Sequence, residues 1–169
     1  GVRHGMFRVR GFTQDDAHIL LAKDQIKDEV IRIASLFDEV YSLFGLPYKI
    51  ELSTMPEDHM GDEADWEFAQ NTLKEAITEM GKSYVINEGE AAFYGPKLDI
   101  QYHNVYGKED TIVTIQIDML LAEKFGMEYV DVDGTKKHPY IIHRTSLGCY
   151  ERTLAYLLEK YAGALPLWM

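Results

Sequence analysis

Cysteine and cations are what this chain has least of. Its 169 residues hold one cysteine, Cys149, so no internal disulfide can form and a reducing, cytoplasmic setting is expected. Lys and Arg number 17 against 28 Asp and Glu, a formal net charge of −11. A surface this acidic does not hold nucleic acid by bulk charge, because counterion release needs clustered cations, so any such contact has to be local. With only 13 Gly and 5 Pro beside 46% hydrophobic residues, neither a collagen-like nor a mostly disordered chain fits. No apolar run is long enough to span a membrane, and Gly1-Val2-Arg3-His4 lacks the apolar core of a signal peptide. An opening on Gly followed by a basic stretch, with no initiating Met, leads us to expect a piece of a longer protein.

What remains suffices for one ordinary globular domain with a real core. Ile26, Val30, Ile33, Phe37, Val40, Tyr41 and Phe44 recur at three and four, predicting a helix between Asp24 as N-cap and Gly45 as stop. The same period runs from Trp66 to Met80 before Gly81, and from Leu147 to Tyr161 before Gly163. Strands are predicted over 12–21, 48–52, 83–86, 97–102, 111–119, 129–132 and 136–144, with a hairpin turn at Asp133-Gly134 and a surface loop over 56–65. Strands follow strands directly in the second half, so the expected class is α+β, an antiparallel sheet flanked by helices.

The most informative stretch is 12–20. As a strand it would put Phe12, Gln14, Asp16, His18 and Leu20 on one face: aromatic, amide, carboxylate, imidazole. Such a row is either the wet face of an edge strand or a ligand-binding surface, since buried polar groups need partners. Thr114, Gln116 and Asp118 alternate likewise with Val113, Ile115 and Ile117, where simple amphipathicity is explanation enough. Arg8 and Arg10 would share the face of Phe12 and Gln14, while Arg144 and Arg152 flank the last helix start; guanidinium groups bind phosphate two-pronged, but any single Arg could serve a surface ion pair. Tyr94-Gly95-Pro96-Lys97 makes a tight turn that delivers Tyr94 and Lys97 to a strand. His18 and His143 fall in strands expected to be central and permit a metal site without defining one; Cys149, on the following helix, is poorly placed to join them.

Three segments carry a family resemblance. Residues 7–18 (FRVRGFTQDDAH) resemble the second half of motif 2 of class II aminoacyl-tRNA synthetases in its threonyl form; residues 90–99 (EAAFYGPKLD) resemble that enzyme's GAFYGPK segment; and residues 143–152 (HRTSLGCYER), running on to 161–168, look like motif 3. The resemblance implies a class II antiparallel sheet, of which residues 1–169 form part of one catalytic domain, with motif 1, the start of motif 2 and the editing and anticodon-binding domains outside it. It implies L-threonine, ATP and tRNA(Thr) as partners, Mg(2+) and Zn(2+) as cofactors, and a homodimer in the full-length enzyme. By motif position Arg8 holds the outer phosphates, Phe12 stacks on adenine, Arg152 binds the phosphate tail or adenine region, and Lys97 lies near the reacting phosphate. Gln14, Asp16 and Tyr94 hold the amino acid, and Gln116, in a stretch resembling QLDF, faces the nucleotide pocket.

His18 and His143 match the family's two zinc-binding histidines; its third ligand is a cysteine upstream of the position of Gly1. The resemblance also supplies a reason for zinc. Valine is nearly isosteric with threonine and an apolar pocket separates them only weakly, whereas a site that must ligate a hydroxyl rejects valine; serine keeps the hydroxyl and leaks through. The expected activity is threonine activation and transfer by the complete protein, the 169 residues alone being inactive. The alternative is a synthetase-like paralogue that binds threonine or nucleotide without aminoacylation.

Overall fold

A computed structural model of the chain describes residues 3–168, so Gly1, Val2 and the expectation of a preceding segment lie outside the described residues. The helix predicted from Asp24 is α1 (Ile26–Leu43), preceded by a 3-10 turn, Lys23–Gln25, whose Gln25 Oε1 accepts the Ala22 N–H at 2.9 Å. The cap is therefore made at Ala22 and Gln25 rather than at Asp24. The stop is as expected, with Gly45 N–H donating to Ser42 O and Leu46 N–H to Tyr41 O. α2 (Glu63–Glu79) starts a turn before Trp66, taking in the end of the expected loop; Glu63 and Asp65 suit a helix N-terminus, where the dipole favours negative charge.

Six strands form the main sheet: β1 (Ala17–Leu21), β2 (Lys49–Ser53), β3 (Tyr84–Asn87), β4 (Lys97–His103), β5 (Glu109–Asp118) and β8 (Tyr140–Arg144). Their order is β1-β8-β5-β4-β2-β3, so β1, expected to be central, is an edge of this sheet. All pairs are antiparallel except β2 with β3, which run parallel because α2 carries the chain across between them. β6 (Tyr129–Val130) and β7 (Lys136–Lys137) form the separate hairpin around Asp133-Gly134. The expected strand over 136–144 breaks at Pro139, which has no N–H to give a ladder. α3 (Leu121–Lys124) was not anticipated, and α4 (Tyr150–Lys160) begins after Leu147, which lies in the preceding loop.

One face of the sheet is apolar. Ile50, Leu52, Leu98, Ile100, Ile115, Ile117 and Ile142 meet Val30, Phe37 and Tyr41 of α1 and Leu73 and Ile77 of α2, all buried in one cluster. Each such side chain contributes about 1.5–3 kcal/mol by leaving water. No helix among the described residues is long and apolar enough to cross a membrane. The other face of β2, β4 and β5 is polar and hydrogen-bonded along its length: Glu51 Oε2 accepts from Asn87 and Gln101, Thr111 donates to Gln101, and Thr114 donates to Asp99. That face carries the candidate site.

Candidate functional site

Strand register places the chemistry. Lys97 on β4 pairs with Gln116 on β5, Gln116 with His143 on β8, and His143 with His18 on β1. With strands roughly 4.8 Å apart, these four residues form a row on the order of 14 Å long. Lys97 Nζ lies 2.6 Å from Asp99 Oδ2, the latter buried. Tyr94 donates to Gln116 Oε1 at 2.9 Å. Burial, with the Asp118 carboxylate adding to it, pushes the Tyr94 hydroxyl above its ordinary pKa, so it stays a neutral donor. Gln116 is 8% exposed, and among the described residues its Nε2 has no hydrogen-bond partner.

Backbone contact at the turn demands glycine at two places. A Cβ on Gly95 would sit 1.7 Å from Ile117 O, and one on Gly148 would sit 2.1 Å from Ile112 O, with φ +76 as well. Gly95 lets the segment ahead of Lys97 lie against β5. Gly148 lets the loop after β8 cross the start of the same strand.

That loop corrects the reading of 12–16. The strand begins only at Ala17, because Asp15 turns aside to bind the loop: its carboxylate accepts N–H groups of Ser146 at 3.0 Å, Leu147 at 2.9 Å and Gly148 at 2.8 Å, and the Ser146 hydroxyl. Gln14 meets Cys149 in an isolated bridge. The period-two face therefore does not exist as one strand. Even so, Gln14 and Asp16 line a cleft of about 520 Å³ together with Tyr94, Lys97, Gln116 and His143. Thr114 and Arg144 line it too, and Arg144 Nε, like Gln116 Nε2, has no partner among the described residues.

Arg8 and Arg152 are placed elsewhere. They share a separate cavity of about 440 Å³ with Phe7, Tyr156 and Glu159, and Arg152 Nη2 reaches Phe7 O at 3.5 Å. Arg8 pairs its backbone with His4 in a local turn, so it does not share a strand face with Gln14. Phe12 is 62% exposed. A further cavity, of about 640 Å³ between the end of α1 and the β2–β3 edge, is lined by none of the expected residues.

His18 and His143 lie edge to face, ring centroids 4.5 Å apart. Two adjacent imidazoles fit part of a zinc site, but among the described residues no group of three His, Cys, Asp or Glu comes together to hold a metal. Cys149 stands at the N-cap of α4 with its thiol toward Glu151. Asp118, which sequence reading gave no role, is 4% exposed and its Oδ2 lies 3.0 Å from His143 Nε2. Its place was visible only as the last member of the Thr114, Gln116, Asp118 alternation.

The family model "tRNA synthetase class II core domain (G, H, P, S and T)" matches residues 2–161. A threonine–tRNA ligase of Clostridium botulinum (strain Langeland) is 50% identical over all 169 residues, and the chain spans 27% of that relative's length. A crystal structure of the RNA binding domain of threonyl-tRNA synthetase from Cryptosporidium parvum superimposes with a TM-score of 0.90 at 40% identity, covering 98% of this chain and 42% of that one. Seryl-tRNA synthetase from Pyrococcus horikoshii, at 14% identity and a TM-score of 0.66 over 93% of this chain and 28% of that one, shares the fold.

Proposed function

The chain belongs to the class II tRNA synthetase core-domain family, and from that premise we propose that it forms the amino-acid-activating part of a threonine–tRNA ligase, within a longer, homodimeric, cytoplasmic protein. The observation that carries this reading is the row Lys97, Gln116, His143, His18 beside Gln14, Asp16 and Tyr94 on one polar sheet face. In the reaction, a threonine carboxylate oxygen attacks the α-phosphorus of ATP. The bond to pyrophosphate breaks, pyrophosphate leaves with the electron pair, and the adenylate then gives its threonyl group to a ribose hydroxyl of tRNA(Thr) as AMP departs. The carboxylate is already a nucleophile, so activation needs no general base; in the transfer step the proton of the ribose hydroxyl leaves with the AMP phosphate.

Each residue has a part in this. Asp16 receives the substrate ammonium, while Gln14 and Tyr94 fix its orientation. Lys97 lies where charge builds on the reacting phosphate, and fixed cations of this kind are the main catalytic term for such transfers. The free Gln116 Nε2 donor suits an acceptor-rich ligand such as phosphate or carboxylate. Phe12 stacks on adenine, and Arg8 and Arg152 take the outer phosphates once they turn toward the cleft. ATP would enter as its magnesium complex, the metal supplying neutralisation of phosphate charge.

His18 and His143 would hold zinc, with a further ligand supplied from beyond the described residues. When bound, zinc supplies a Lewis-acidic position for the threonine hydroxyl, the group that valine lacks.

The test is threonine-dependent ATP–pyrophosphate exchange by the full-length gene product. Threonine should drive exchange, valine should be rejected strongly and serine weakly, and Asp16→Asn should raise the threonine KM at least tenfold. Exchange driven by proline or serine in preference to threonine would overturn the reading.

A further inference from the structure

We propose that Asp118 is a positioning residue for His143: by accepting a hydrogen bond from Nε2–H it fixes the tautomer that leaves Nδ1 as the one ring nitrogen able to hold a metal. The inference rests on the reading that His18 and His143 bind zinc. Its own basis is geometric.

Asp118 ends β5, and both carboxylate oxygens are committed. Oδ1 accepts the N–H groups of Leu120 and Leu121, each at 2.9 Å, and so is locked by the backbone that enters α3. Oδ2 lies 3.0 Å from His143 Nε2. With Oδ1 already accepting two N–H groups, Oδ2 stands as an acceptor toward the imidazole nitrogen that faces it, and that nitrogen carries the proton. A neutral imidazole has one N–H, which leaves Nδ1 with a lone pair. His143 pairs in register with His18 across β8 and β1, so the second imidazole is already a neighbour, with ring centroids 4.5 Å apart. An acidic partner on the far nitrogen also raises the basicity of the ligating one, and loss of such a partner typically costs about 10–100-fold in metal affinity.

Asp118→Asn separates this role from a structural one. Asn Oδ1 still accepts from Leu120 and Leu121, but its NH2 now faces His143 Nε2 and can only donate. The ring must then accept there and carry its proton on Nδ1, the nitrogen the metal needs. In the metal-stripped full-length protein titrated with zinc against a chromophoric chelator, D118N should bind about 10–100-fold more weakly. The thermal midpoint of the metal-free protein should hardly move. Nitrogen NMR of the His143 ring in the metal-free state should report Nε2 protonation in the parent and Nδ1 protonation in D118N.

Wild-type zinc affinity in D118N, with binding abolished by His143→Ala, overturns this inference alone. Failure of the parent to bind zinc overturns the underlying reading together with it. Should D118N not fold, Asp118→Ser keeps an oxygen for the two amides and leaves Nε2 unpartnered. It should weaken zinc several-fold, and undiminished affinity there overturns the inference equally.

Discussion

Asp15 shows how much one side chain can decide. Its carboxylate answers the N–H groups of Ser146, Leu147 and Gly148 from across 131 to 133 residues of sequence. An unsatisfied part-buried donor costs about 1–3 kcal/mol, so Asp15→Ala should lower stability by about 3 kcal/mol, read as an earlier urea-unfolding midpoint, with Asp15→Asn milder because one oxygen remains. Gly95→Ala is the complementary case, a gain of one methyl against a backbone oxygen 1.7 Å away. The turn must move or β5 must, at about 1–3 kcal/mol, and Lys97 moves with it; exchange activity should fall more steeply than stability. Gln14, Asp16, Tyr94 and Lys97 could be singled out in the sequence and share one cleft, with His18 paired to His143 of that cleft, but the path of 12–16 was not legible. Alternation is a local signal, and what pulls Asp15 out of the ladder is a contact with the loop after β8, which no local pattern encodes.

Among elements, the corner where α1, β2 and β3 meet has its own chemistry. Asp38 on α1 accepts both the Tyr48 hydroxyl, ahead of β2, and Lys82 Nζ at 2.8 Å, ahead of β3. Burial first, and the bond to Asp38 second, push the Tyr48 hydroxyl up to about 12. The folded state thus holds this proton more tightly than the unfolded chain, where the pKa is about 10. Its contribution is complete below pH about 10 and is lost as pH climbs toward 12. Tyr48→Phe should flatten that alkaline decline in a stability–pH profile. Asp38 behaves oppositely: Lys82, then Tyr48, lowers its pKa, so its contribution is present at neutral pH and lost as acid protonates it, and Asp38→Asn should blunt acid sensitivity. α1 and α2 were legible from their 3.6-residue period, because Val30, Phe37, Trp66 and Leu73 are buried as that period requires. The parallel sense of β3 was not, since period two is the same in either direction, and α3 is too short for periodicity to register.

At the scale of the whole molecule, the sheet gathers some of the expected machinery and leaves the rest apart. Gln14, Asp16, Tyr94, Lys97, Gln116 and His143 meet in one cleft, while Arg8 and Arg152 occupy another, walled by Phe7, Tyr156 and Glu159. On the proposed function, activation needs both sets on one nucleotide, because a carboxylate approaching a polyanion gains little until fixed cations take up the charge. Among the described residues the two histidines also find no third ligand. The 169 residues by themselves should therefore give no measurable threonine-dependent pyrophosphate exchange, whereas the full-length protein should be active and lose roughly 10²-fold or more on Arg8→Ala or Arg152→Ala, the scale on which single charge-stabilising donors act. Exchange by the short chain would mean that the arginines reach the cleft without outside help, and undiminished exchange in both full-length variants would mean that they never do.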